Sequence, residues 1–106
     1  MTLRDIQIQH LKWQRKNFGR LPPVDSILGI VEEVGELAHS YTKNKQGIRV
    51  DQDHIKKMRD AVGDITIFLI SLCSAMDWDY QIVVDETWKE VGSRDWVSFP
   101  ETGVPK

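Results

Sequence analysis

The chain has a single cysteine, Cys73, so no intrachain disulfide can staple it. That cysteine lies in an apolar run and reads as a core residue of a cytoplasmic protein. A basic excess is also missing. Fourteen Lys and Arg stand against sixteen Asp and Glu, for a formal charge of −2, which argues against a general nucleic-acid binder. The longest apolar stretch, Ile65 to Met76, is headed by Asp64 and is too short to span a bilayer. The opening MTLRDIQIQH has no apolar stretch behind Arg4 and Asp5, so no secretory signal is read there. No glycine-rich phosphate loop, Ser-His-Asp set or Cys-His pair stands out. These absences exclude disulfide scaffolds, membrane spans and the commonest nucleophilic hydrolases.

What remains is an ordinary globular balance, 41 % apolar and 28 % charged over 106 residues, which is one domain's worth of chain (1–106). The apolar spacing predicts an all-α fold, a four-helix bundle-like protomer with an irregular C-terminal tail. Thr2 caps a first helix to about Phe18, with Asp5 in the capping-box position and Leu3, Ile6, Leu11 and Phe18 roughly on one face. Gly19 ends it, and Leu21-Pro22-Pro23 is a rigid connector. A second helix is expected from Asp25 or Ser26 to about Thr42, burying Ile27, Val31, Val34, Ala38 and Tyr41. Lys43 to Val50 reads as a basic loop. The third helix is expected from about Asp51 to Met76, increasingly apolar and buried on several sides. Asp77 or Asp79 caps a fourth, Tyr80 to Val91, with Val83, Val84, Thr87, Trp88 and Val91 inward and Gly92 as terminator. The remaining SRDWVSFPETGVPK has no period and is expected to lie over the surface.

The chemistry lies in five carboxylates. Glu32, Glu33 and Glu36 share an arc of about 100° on helix two, directed away from the Ile27–Val31–Val34–Ala38 stripe. Taken alone, such an arc is equally a solvated acidic face. Asp60 and Asp64 lie one turn apart on helix three, and Asp64 heads the apolar segment, where an ionised carboxylate is costly unless neutralised. If helices two and three pack antiparallel, the two acidic groups face each other and repel unless cations sit among them. All-oxygen ligands favour Mg²⁺ or Mn²⁺ over Zn²⁺, and carboxylate-bound Mg²⁺ commonly takes up phosphates.

Glu32-Glu33-Val34-Gly35-Glu36-Leu37, followed after a loop by Asp60-Ala61-Val62-Gly63-Asp64, resembles the MazG-like all-α nucleoside triphosphate pyrophosphohydrolases. His10-x-x-Trp13 with Asn17-Phe18-Gly19, Thr87-Trp88-Lys89-Glu90-Val91 and Arg94-Asp95-Trp96 extend the likeness over most of the chain. One position departs: the family's second motif is usually Glu-x-x-Asp, and Ala61 stands where its Glu would be, with Asp60 as the adjacent substitute. The resemblance implies Mg²⁺-dependent hydrolysis between the α- and β-phosphates of a nucleoside triphosphate, as in nucleotide-pool housecleaning. It implies metal ligation by Glu32, Glu33, Glu36 and Asp64, with Asp60 assisting. Glu33 orients the water, Lys89 and Arg94 hold the pyrophosphate end, and Trp13 and Trp96 are candidates to stack the base. It also implies a homodimer, or a homotetramer built from dimers, with sites completed near subunit contacts.

Two other readings start from the same residues. A non-enzymatic helical module can present the acidic face to a basic partner. Glu36-x-x-His39, with Asp51-x-x-His54 as a weak echo, has the spacing of di-iron four-helix bundles.

Overall fold

The computed structural model describes all 106 residues as four α-helices joined by short connections, with no strand. Helix α1 (Leu3–Phe18) begins with the full capping box: the Thr2 hydroxyl accepts from the Asp5 N–H and the Asp5 carboxylate accepts from the Thr2 N–H. Helix α2 (Pro23–Gln46) starts earlier than its side-chain caps suggest. Pro23 takes the first helical position, where a missing N–H costs nothing. It also runs on past Thr42, because Lys43 and Lys45 suit a helix C-terminus, and it stops at Gly47 in the left-handed conformation (φ 68°). The connecting loop is thus shorter than expected, Gly47 to Asp53.

Asp53 caps α3 (His54–Ala75), its carboxylate accepting from the Lys56 N–H at 2.9 Å. After Asp77, at φ 58°, the chain turns through 108° into α4 (Tyr80–Gly92), capped by Asp79. No single helix is long and apolar enough to cross a membrane.

α2 and α3 form the principal helix pair, while α1 packs on α3 and α4; neither the α1 nor the α4 backbone runs close alongside α2. The face of α2 turned to α3 is Ser26, Gly29, Ile30, Glu33, Leu37 and Ser40, small and polar for the most part. Ser26 donates to the Ser71 hydroxyl at 3.0 Å, and Gln14 donates to that same oxygen from α1. A Cβ at Gly29 would overlap the ring of Phe68, so glycine is what lets the two helices approach there. Cys73 is buried in α3, and its burial pushes the thiol pKa up, which makes it unreactive.

Three sequence-based expectations are corrected. The stripe Ile27, Val31, Val34 and Tyr41 is not core in the protomer: it faces outward, with Val31 65 % exposed. α4 buries no residue, and Trp88 is 68 % exposed, because α4 leans only on α1 and α3. Phe18 is also exposed, although Leu3, Ile6 and Leu11 are half-buried together as expected. Asp95 accepts from the N–H groups of Val97 and Ser98 and donates its own N–H to Gly103, so the tail folds into a compact turn of its own.

Candidate metal centre

Packing α2 antiparallel to α3 brings the acidic flanks of both helices to one side. They line a cleft of about 620 Å³ whose walls include Glu32, Glu33, Glu36, Asp60 and Asp64. All five sequence-identified carboxylates therefore meet in one place. Ala61, only 2 % exposed, also lines the cleft.

The environments of the five differ. Asp64, expected to be desolvated at the head of an apolar segment, is exposed; the α1–α3 packing begins further along the helix. Asp60 is also exposed, and its carboxylate pairs with Lys56 at 3.2 Å one turn earlier. Glu33 is the desolvated member. It lies on the α3-facing edge of α2, and its Oε2 is buried with no hydrogen-bond partner. A buried carboxylate oxygen without a donor is costly, and none of the neighbouring side chains supplies one.

Burial therefore pushes the Glu33 carboxyl above the usual carboxylate range, and the negative charges of Glu36, Asp64 and Glu32 push it the same way. The folded chain holds this proton more tightly than the unfolded chain, so ionisation costs stability. The contribution is fully present below about pH 4.3 and is lost as pH rises through the raised folded value. In metal-free buffer, wild type should lose stability relative to Glu33→Gln as pH climbs from 4 to 7. Urea midpoints of both proteins across that range check this. Parallel curves would mean that the Glu33 environment is relaxed.

The cleft fits a divalent cation in its donor chemistry: four acidic groups without basic partners and one orphaned, buried oxygen. Yet no three His, Cys, Asp or Glu side chains already converge as a ligand cluster. Like-charged carboxylates with no cation between them repel and spread apart.

Lys57, Ser40 and His39 also line the cleft, and only His39 had been considered as a ligand. Lys57 is its one basic lining residue, and its ammonium donates to Gln52 at 2.6 Å. Its signal was available: it stands one turn before Asp60 and two turns before Asp64. His54 is elsewhere. It is buried with Nε2 donating to the Ile48 carbonyl at 3.1 Å, which removes the second histidine that a di-iron centre requires.

The remaining candidates do not enter the cleft. Lys89 lies on α4, whose backbone does not run close alongside α2, and Arg94 is paired with Glu90 at 3.1 Å. Trp96 packs beside Gly103 in the tail. Trp13 is half-exposed between His10 and Phe18, each ring centroid 5.7 Å away. It does share a face of α1 with Ile6, which borders a shallow groove with Asp60 and Asp64. Compared with protein-family models, curated proteins and solved structures, the chain matches none.

Proposed function

We propose that the chain is a MazG-like nucleoside triphosphate pyrophosphohydrolase whose cleft works with Mg²⁺ or Mn²⁺. The observation that carries this reading is the buried, unpartnered Oε2 of Glu33 among the carboxylates of Glu32, Glu36 and Asp64. An interaction module with an acidic face accounts for the exposed Glu32, Glu36, Asp60 and Asp64 but leaves the buried Oε2 of Glu33 without an explanation.

Glu32, Glu33, Glu36 and Asp64 are the ligands in this reading. Asp60, drawn toward Lys56 at the rim, serves at most as an outer contact. Bound Mg²⁺ would offset the charge of the phosphate oxygens and bring the triphosphate into an otherwise repulsive cleft. Water adds across the α–β phosphoanhydride, giving a nucleoside monophosphate and pyrophosphate. In this reading Glu33 orients that water and accepts its proton, since burial and its acidic neighbours raise the proton affinity of its carboxylate. Lys57 is the cation in reach of a phosphate tail inside the cleft. Lys89 and Arg94 are not among the residues that line the cleft, so in this reading they would meet the pyrophosphate end only from outside it.

Ala61 leaves this cleft one carboxylate short of the usual family pattern, which favours a smaller metal complement. The test is product analysis over a panel of canonical and modified nucleoside triphosphates. Monophosphate and pyrophosphate should appear with Mg²⁺ and not with EDTA. Silence over the whole panel from well-folded protein would move the interaction module to the front.

A further inference from the structure

Lys57 is the one cation lining a cleft of five carboxylates, and it pairs with none of them. The chain's three ion pairs are Arg4–Asp79, Lys56–Asp60 and Arg94–Glu90. The Lys57 ammonium instead donates to the neutral amide oxygen of Gln52 at 2.6 Å. An ammonium beside several unpaired carboxylates is drawn to them, so its place on an amide needs a cause.

The cause is local. Helical side chains lean toward the N-terminus, which carries Lys57 back over the first turn of α3. The two carboxylates nearest it along the helix are engaged by its neighbour: Asp53 accepts from the Lys56 N–H at 2.9 Å, and Asp60 from the Lys56 ammonium at 3.2 Å. Gln52 stands just before the Asp53 cap, its N–H donating to the Arg49 carbonyl at 3.0 Å, with Arg49 itself left-handed at φ 53°. The buried His54 ties down the same loop through the Ile48 carbonyl. A loop anchored this way presents a fixed acceptor to Lys57. Without it, the unpaired Glu32, Glu33 and Glu36 are the acceptors that share the cleft with Lys57.

We propose that Gln52 is a positioning residue for Lys57: it holds the ammonium off the carboxylates that take a divalent ion, and yields it to the phosphate tail of a metal-bound polyphosphate. An ammonium lodged among Glu32, Glu33 and Glu36 would neutralise the same oxygens and compete with the ion. Held on a neutral amide, it keeps its full charge for a phosphate oxygen, with which its hydrogen bond is stronger. The exchange gives up one exposed hydrogen bond for a charge-assisted one. The inference rests on the reading of the cleft as a metal centre.

The test needs no nucleotide, and both residues are exposed, so their variants should fold. In Mn²⁺ titrations followed by electron paramagnetic resonance, Gln52→Leu should bind the ion about fivefold more weakly than wild type, the worth of one ammonium–carboxylate contact in water-like surroundings. Adding Lys57→Met to Gln52→Leu should restore the affinity, because the competitor is gone. Lys57→Met alone should bind Mn²⁺ no more weakly than wild type. It should bind the preformed Mn²⁺–tripolyphosphate complex about fivefold more weakly by calorimetry. Equal Mn²⁺ affinity in wild type and Gln52→Leu would overturn the proposal, as would a loss that Lys57→Met does not reverse. Tripolyphosphate binding that is absent, or unchanged in Lys57→Met, would also overturn it. If wild type binds no Mn²⁺ at all, the metal centre itself fails and takes the proposal with it.

Discussion

Glu33→Gln is expected to lower Mg²⁺-dependent pyrophosphate release by about 10²–10⁴-fold while leaving the helices intact. The amide keeps the volume of the side chain on the packed edge of α2, so the α2–α3 contact is undisturbed. What it removes is charge and proton affinity at the one carboxylate that is desolvated in the cleft. The same variant should melt higher than wild type in EDTA at neutral pH, because it sheds the repulsion from Glu36, Asp64 and Glu32. A lower rate together with higher metal-free stability is the signature of a functional charge held at the expense of the fold. A misfolded variant moves both in the same direction.

Ile70→Ala is expected to cost about 2–5 kcal/mol in unfolding free energy, the usual range for emptying a packed aliphatic site. Ile70 is completely enclosed, in the stretch of α3 where α1 joins α2 around it. Set against a typical total of 5–15 kcal/mol, the loss is a large fraction of the fold's stability. Urea unfolding at fixed protein concentration measures it, and a change under 1 kcal/mol would place the real core elsewhere.

Local signals were legible in the sequence. The Thr2–Asp5 capping box and the Asp79 cap are formed by neighbours a turn apart and need no tertiary context. The acidic arc of Glu32, Glu33 and Glu36 was legible for the same reason, since helical period fixes which residues share a flank. The packing face of α2 was not. Ser26, Gly29 and Ser40 carry no apolar signal, yet small residues are what permit close helix approach, as Phe68 over Gly29 shows. The stripe that reads as core, from Ile27 to Tyr41, lies on a face of α2 that no other helix of the chain covers. Trp88 misleads in the same way: its spacing with Val84 and Val91 is helical, but α4 swings away from the hairpin that would have buried it. In the cleft, the sequence pointed to Asp64 as the desolvated acid, and the structure gives that place to Glu33. Burial depends on which face a neighbouring helix occupies, and spacing along one helix does not carry that information.

The proposed chemistry requires a divalent ion in the cleft. Titrating Mn²⁺ into the metal-free protein, with the free ion followed by electron paramagnetic resonance, asks this without choosing a nucleotide. Saturable binding is predicted, displaced by Mg²⁺ and abolished in Asp64→Asn and Glu33→Gln. At tenfold excess over its Kd the ion should add about 1.4 kcal/mol to the stability of wild type alone. Mn²⁺ binding that is absent, or that is equally strong in both variants, would contradict the metal centre and the hydrolase built on it.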